Sequence, residues 1–177
     1  ARNHRFKARD AFQGVEVDGL GAAMQVYGVE RAVVLVSRMG HYSLRKAGGV
    51  LGIGNRNVIP IDTDASGRMD IRQLGHQIAH GSKKTNKTAI IAVIGVAGTT
   101  ETGHIDPLEE VAHICAEEDI HFHVDAAWGG PTLMSEKYGQ PHKIFRNLLQ
   151  KNACQWRLSD ENSINLKSGS NWSDLTY

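Results

Sequence analysis

Residues 88–96 (TAIIAVIGV) form the most apolar strand-like segment of the chain and constrain its fold more than any other stretch. A continuous apolar run of this kind predicts a strand that is covered on both faces and lies in the middle of a sheet. Residues 32–37 (AVVLVS) have the same character, and residues 120–125 (IHFHVD) predict a further strand. Residues 57–62 (NVIPID) contain Pro60, which cannot donate to a strand ladder and therefore predicts an edge strand or a strand end.

Amphipathic segments separate these predicted strands. Asp70, with Gln73 three residues later, has the pattern of a capping box. Asp106, with Glu109 three residues later, predicts a second helix start of the same kind. Three stripes of apolar or small residues follow helical spacing: Leu44, Ala47, Gly48 and Leu51; Ile71, Leu74, Gly75 and Ile78; and Leu108, Val111, Ala112 and Cys115. Strands that alternate with helices predict an α/β fold with right-handed βαβ units and a parallel sheet. In residues 1–28, the segment ARNHRFKARD is compatible with the end of a helix, and little else is assigned.

Composition narrows the range of partners and locations. The 177 residues fit one domain, and 20 Lys and Arg against 19 Asp and Glu give a net charge of +1. We therefore expect no general attraction to nucleic acid or to a membrane surface, and a small molecule is the expected partner. No apolar run approaches the roughly 20 residues of a membrane span. Cys115 and Cys154 make no disulfide framework, which favours a reducing compartment and hence the cytoplasm.

Polar residues gather where the predicted strands end. In parallel α/β sheets, ligands bind beyond the carboxyl ends of the strands. Those ends carry residues 37–41, Asp62, residues 98–100 and Asp125. Asp125 comes at the end of the last strand and is followed by small residues in the sequence HFHVDAAWGG, which predicts room for a flat ligand facing the carboxylate.

Each of these residues also admits a simpler interpretation. Asp125 is typical of a loop cap, or of a metal site together with His121 and His123 on the same strand face. Ligands at successive alternate positions, however, spread along roughly 13 Å of strand and do not converge readily on one ion. Thr100 belongs to a turn whose hydroxyls satisfy local backbone groups, and His41 to a solvated loop. A third interpretation makes Asp125 the carboxylate that keeps a heteroaromatic nitrogen protonated.

Four segments together resemble a known enzyme family. They are HYSLRKAGGVLGIGNRNV, DASGRMD, AGTTETGHIDPLEEVAHICAEEDI and HFHVDAAWGG, in this order along the chain. They resemble the pyridoxal-phosphate-dependent group II amino-acid decarboxylases, the family of glutamate, cysteine-sulfinate, diaminobutyrate and aromatic amino-acid decarboxylases. The resemblance implies the aspartate-aminotransferase-like large domain of fold type I, pyridoxal phosphate as cofactor, an amino-acid substrate and a homodimer. The implied reaction releases carbon dioxide and an amine.

The resemblance also assigns roles to individual positions. His41 matches the imidazole that stacks on one face of the cofactor's pyridine ring, and Ala127 the small residue against the opposite face. Asp125 matches the carboxylate paired with the pyridine nitrogen. Thr100 is implied as a nearby hydroxyl, and His123 as a supporting residue on the strand of Asp125. Trp128, followed by two glycines, looks more like the glutamate and cysteine-sulfinate members than the aromatic ones.

The resemblance covers only part of the family's large domain. We expect residues 1–139 to form the central part of that domain and residues 140–177 to be a divergent tail, frameshifted or truncated. Residues 1–3 (ARN) resemble the residues that follow the family's phosphate-holding segment. That segment, the N-terminal arm and the C-terminal small domain are therefore expected to lie outside the sequence.

The family's cofactor-attaching lysine has no clear counterpart. It usually follows a histidine, a few tens of residues after the aspartate that Asp125 matches, but residues 152–177 contain no apolar strand followed by such a pair. The expected neighbourhood holds Trp156 and Arg157, and His142-Lys143 spells the dipeptide too early. Other lysines considered are Lys151 and Lys167.

Three hypotheses about activity remain at this stage. The first is a decarboxylase by family. The second is a truncated, non-catalytic protein, for which this chain alone is predicted to bind pyridoxal phosphate weakly or not at all and to show no turnover. The third is another fold-type-I enzyme that uses the same cofactor, such as an aminotransferase.

Overall fold

A four-stranded parallel sheet forms the centre of the part of the chain that the structure describes. The computed structural model describes residues 1–81 and 87–131. The strands are β1 (Arg31–Ser37), β2 (Val58–Ile61), β3 (Thr88–Val96) and β4 (His121–Asp125). They lie in the order β2-β1-β3-β4, and all three neighbouring pairs are parallel. The predicted α/β class with a parallel sheet is confirmed.

The strand positions follow from their composition. β3 is interior, with β1 on one side and β4 on the other, as its continuous apolar run predicts. β2, which contains Pro60, lies at the edge of the sheet. In β4, the burial pattern alternates: Phe122 and Val124 are buried, whereas His121, His123 and Asp125 are half-buried. The predicted division of this strand into two faces is therefore confirmed.

Helices cover both faces of the sheet. Helices α4 (Ile71–Gly81) and α5 (Leu108–Glu117) pack against one face, because their buried residues share a core with Val33 and Leu35. The alternate strand residues Ala32 and Val34 belong to a second core on the other face. The N-terminal segment contributes Phe6, Phe12, Val15 and Ala23 to this second core. The predicted stripe of α5 is fully buried.

The N-terminal 28 residues contain two helices that periodicity did not indicate. Helix α1 (Arg2–Arg5) is a single turn, and helix α2 (Val15–Val26) is interrupted at Gly19, whose φ is 82°. A short helix and an interrupted one do not present a regular apolar stripe. Within the described residues, no helix is both long and apolar enough to span a membrane.

Helix α3 (Ser43–Val50) forms where predicted, but the predicted apolar stripe is wrong. Of the four predicted residues only Gly48 is buried; Leu44 is half-buried, Ala47 is exposed and Leu51 is 46% exposed. A Cβ on Gly48 would lie 2.5 Å from Cγ2 of Val58. The helix therefore approaches β2 through a glycine instead of through a row of large side chains.

One predicted helix cap is present and the other is not. Oδ1 of Asp70 accepts the N–H groups of Arg72 and Gln73 at 2.8 and 3.2 Å, so Asp70 caps α4. The Gln73 side chain does not complete a capping box, because it bonds to Asp62 instead. The predicted cap at Asp106 is wrong: α5 begins without a side-chain cap, and the carboxylate of Asp106 bonds elsewhere.

Candidate active site

A cavity of about 370 Å³ opens at the carboxyl ends of the strands. Its size lies within the range of small-molecule binding sites. One wall comes from the segment between β1 and α3 together with α3 itself, and the other from the ends of β3 and β4 and the loops that follow them. The lining residues are Met39, His41, Ser43, Leu44, Ala47, Val96, Gly98, Thr99, Thr100, Asp125, Ala127 and Trp128.

Four of the five residues singled out from the sequence line this cavity: His41, Thr100, Asp125 and Ala127. The fifth, His123, is not among the lining residues; it lies two positions before Asp125 on β4 and pairs with Ile94. The structure therefore brings four predicted residues together from three separate segments of the chain. The role of each stays a prediction.

His41 is held at the start of α3. Its Nδ1 lies 2.8 Å from Oγ of Ser43, and its ring centroid lies 4.2 Å from that of Tyr42 at an interplanar angle of 48°. The backbone N–H of Leu44 donates to the carbonyl of His41 at 3.1 Å. These contacts restrain the imidazole at the cavity wall, although the side chain is exposed.

Asp125 and Ala127 are fixed by backbone bonds between the ends of β3 and β4. Asp125 pairs with Val96. The N–H of Ala97 donates to the carbonyl of Asp125 at 2.8 Å, and the N–H of Gly129 donates to the carbonyl of Ala97 at 3.0 Å. The N–H of Ala127 donates to Oδ1 of Asp125 at 3.3 Å. The carboxylate is half-buried and is oriented by its own turn.

The hydroxyls of the Thr99-Thr100 pair differ in their surroundings. Thr99 is buried; its Oγ1 accepts the N–H of His104 at 3.0 Å and lies 2.7 Å from Oγ1 of Thr102. Thr102 in turn lies 3.1 Å from Nδ1 of His104. Thr99 therefore satisfies its own loop, as the simpler interpretation of this turn predicts, while Thr100 is exposed at the cavity.

Asp106 has a role that the sequence analysis missed. Its Oδ1 accepts the hydroxyl of Ser37 at 3.2 Å and the N–H of Met69 at 2.7 Å, and its Oδ2 accepts the N–H of Val96 at 2.8 Å. Burial raises the pKa of this carboxyl, and the three hydrogen bonds oppose that rise. We call Asp106 and its three donors the strand-end clamp. No local pattern indicates it, because the partners are distant in sequence.

Asp62 was expected among the polar groups converging on this edge, but it is not among the cavity-lining residues. It lies beyond β2, where Gln73 Nε2 donates to Oδ2 at 2.9 Å and Nε of Arg38 donates to Oδ1. The hydrogen bond from Gln73, followed by that from Arg38, lowers the pKa of Asp62. Asp62 therefore serves a separate polar cluster at the sheet edge.

The metal interpretation of Asp125 gains nothing from the structure. Across residues 1–81 and 87–131, no group of three or more His, Cys, Asp or Glu side chains is arranged to hold a metal ion. The cavity instead brings a carboxylate, an imidazole, a methyl group and a hydroxyl around one space, a set of groups that suits a flat heteroaromatic ring. The lysines considered for covalent attachment, Lys143, Lys151 and Lys167, lie outside the described residues.

The sheet and its cavity define the class of protein: they form part of the large domain of a fold-type-I enzyme. The crystal structure of mouse CSAD superimposes with a TM-score of 0.64 and 30% sequence identity, over 80% of this chain and 28% of that one. The likeness therefore covers most of the described fold.

The chain belongs to the pyridoxal-dependent decarboxylase family, because the pyridoxal-dependent decarboxylase conserved domain matches residues 9–151. Aspartate 1-decarboxylase of Aliivibrio fischeri is 49% identical over 138 residues, which are 78% of this chain and 25% of the relative. Acidic amino acid decarboxylase GADL1 of Xenopus tropicalis is 42% identical over 117 residues, or 66% of this chain and 22% of the relative. The chain thus spans about a quarter of the length of these curated relatives.

Proposed function

We propose that this chain forms the central part of the cofactor-binding domain of a decarboxylase that converts an acidic amino acid to an amine and carbon dioxide. The observation that carries the proposal is the shared cavity of His41, Thr100, Asp125 and Ala127. Bound pyridoxal phosphate supplies an electron sink for the electrons left when the substrate loses its carboxylate. The residues of this chain bind and orient the ring and set its charge.

Asp125 has the central electrostatic role in this proposal. A negative carboxylate next to the pyridine nitrogen favours a proton on that nitrogen, and the positive ring withdraws electrons more strongly. The backbone bonds that tie Asp125 to Ala97 keep the carboxylate in place. His123, on the same face of β4, is proposed to support Asp125 from within the same strand.

His41 and Ala127 are proposed to hold the two faces of the ring. An imidazole stacks favourably on a heteroaromatic ring, and its contact with Ser43 restricts its rotation. A methyl group at position 127 leaves space for a flat ligand where a larger side chain would fill it. Thr100 is proposed to donate its hydroxyl to the cofactor from the rim.

The acidic substrate is proposed from two features of the sequence. The relatives reported above are an aspartate decarboxylase and an acidic amino acid decarboxylase by name. Trp128 followed by Gly129 and Gly130 is the second, because this pattern resembles the acidic members more than the aromatic ones. A homodimer and a cytoplasmic location complete the proposal.

A chimera tests the function directly. In this chimera, residues 9–131 of this chain would replace the matching segment of the Aliivibrio fischeri aspartate 1-decarboxylase. We expect the chimera to bind pyridoxal phosphate and to release carbon dioxide from aspartate, glutamate or cysteine sulfinate. A folded chimera that binds the cofactor but releases no carbon dioxide from any of the three would contradict the proposal. Formation of a keto acid would indicate the aminotransferase hypothesis instead.

A further inference from the structure

The strand-end clamp joins the two walls of the cavity. Ser37 is the last residue of β1 and lies two positions before Met39, where the first wall begins. Val96 is the last residue of β3, lines the second wall and pairs with Asp125. Asp106 contacts both, so one side chain connects the wall that carries His41 with the wall that carries Asp125.

The backbone of Asp106 strengthens the connection to β3. Its N–H donates to the carbonyl of Val96 at 2.9 Å, while its carboxylate accepts the N–H of the same residue. An antiparallel bridge between Ala97 and Ile105 folds the intervening loop back and brings Asp106 beside the strand end. Asp106 therefore bonds to Val96 of β3 at the position where the next residue of β1 would pair if that strand continued beyond Ser37.

The clamp requires a carboxylate because its surroundings supply only donors to it. Met69 and Val96 each present a backbone N–H, and Ser37 presents a hydroxyl. Asp106 is 4% exposed, so water does not replace a missing acceptor easily. An asparagine would turn its NH₂ group toward the N–H of either Met69 or Val96. Two hydrogen-bond donors would then face each other without an acceptor.

We propose that Asp106 is a positioning residue that sets the separation of the two cavity walls and thereby the placement of His41 relative to Asp125. The proposal rests on the function proposed above for this cavity. Asp106 itself is not among the lining residues and acts through Ser37 and Val96.

The first test uses the 177-residue chain without cofactor and measures amide hydrogen exchange by NMR. In D106N, the amides of Met69 and Val96 are expected to exchange about tenfold faster or more, because each loses its acceptor. The resonances of residues 38–41 and 97–100 are expected to shift, because both walls lose their hydrogen bond to the Asp106 carboxylate. Unchanged exchange at Val96, or unshifted resonances of the residues in the two walls, would overturn the proposal.

The second test separates the clamp from general stability. S37A removes only the link to β1, and it serves as the milder variant if D106N does not fold. D70A is the matched control, because it also removes a carboxylate that accepts two backbone N–H groups, but at a helix whose residues do not line the cavity. S37A is expected to shift the resonances of residues 38–41 and to leave the exchange of Val96 within about twofold, whereas D70A affects only the start of α4. Equal effects of S37A and D70A on residues 38–41 would argue against the clamp.

A titration with pyridoxal phosphate links the clamp to the proposed function. In the chimera, D106N and S37A are expected to weaken binding by about tenfold while D70A does not. Unchanged affinity in D106N despite released walls would overturn the positioning role. Failure of the chimera itself to bind would count against the proposed function, while the exchange measurements would still decide whether Asp106 holds the walls.

Discussion

Gly98 and Gly129 touch backbone to backbone: a Cβ on Gly98 would lie 2.9 Å from the nitrogen of Gly129. Gly98 also has a φ of 94°, a conformation that side chains with a Cβ rarely adopt. The two glycines belong to the loops after β3 and β4, which carry Thr100 and Ala127. Their close approach therefore fixes the spacing of one cavity wall.

Substituting Gly98 with alanine should destabilise the protein. Strain at a positive φ and the contact with Gly129 together predict a loss of about 2–3 kcal/mol in the free energy of unfolding, measured by urea denaturation. G103A is the matched control, because Gly103 has a φ of 70° with nothing within 4 Å of its added Cβ. Equal losses in both variants would show that the contact with Gly129 contributes nothing.

Removing the carboxylate of Asp125 should abolish most activity without unfolding the protein. In the chimera, D125A is expected to lower kcat/KM by about 100-fold or more, because the proton on the ring nitrogen loses its partner. E101A serves as the control, since Glu101 is an exposed carboxylate in the loop after β3 that does not line the cavity. The thermal midpoint of D125A should stay near that of the parent. Nearly unchanged catalysis in D125A would show that the assigned role is wrong.

His41 should contribute to cofactor affinity through its ring. In the chimera, H41A is expected to weaken pyridoxal phosphate binding by about fivefold to tenfold, and H41F by less, because a phenyl ring retains stacking. S43A removes the contact at Nδ1 and tests whether orientation of the imidazole matters. Titration of the cofactor absorbance measures all three variants. Equal affinities of H41A and H41F would argue against stacking.

Asp62 should make the free energy of unfolding depend on pH in the acid range. Its pKa in the folded protein is lowered from the ordinary value of 3.8, first by the hydrogen bond from Gln73 and then by that from Arg38. The folded state therefore binds fewer protons than the unfolded state as pH falls, and the contribution of Asp62, present above the ordinary pKa, is lost as pH falls through the folded pKa. Urea midpoints measured from about pH 6 down to about pH 2 should fall in this range.

The variants D62N and Q73A check that origin. D62N removes the titrating group, and Q73A removes the hydrogen bond that lowers its pKa most. Both should flatten the acid part of the stability curve relative to the parent. A curve of unchanged slope in both variants would assign the acid sensitivity to other groups.

Periodicity and strand composition predicted the four strands and helices α3, α4 and α5, because burial on one or both faces of an element produces a local pattern of apolar residues. For α3, this reasoning predicted the helix but not its packing, because the contact with β2 depends on Gly48 and not on large apolar residues. It also missed α1 and α2, which are too short or too interrupted to repeat a stripe.

The candidate site was predictable only where residues follow strand ends or match a family motif. His41, Thr100, Asp125 and Ala127 satisfied both conditions and lie around one cavity. Asp106 satisfied the pattern of a helix cap, yet the folded-back loop gave it other partners. Contacts across 37 or 69 positions in sequence, such as those to Met69 and Ser37, have no local signature.

The strand order β2-β1-β3-β4 has a consequence for how such a site changes during evolution. After β1 the chain turns outward to β2, whereas after β3 it proceeds in the opposite direction to β4, so the connections diverge between the two central strands. Crevices in open α/β sheets form at such a topological switch point. The place of the ligand is therefore inherited with the connectivity of the sheet, and exchange of loop residues alters which molecule is accepted without relocating where it is bound.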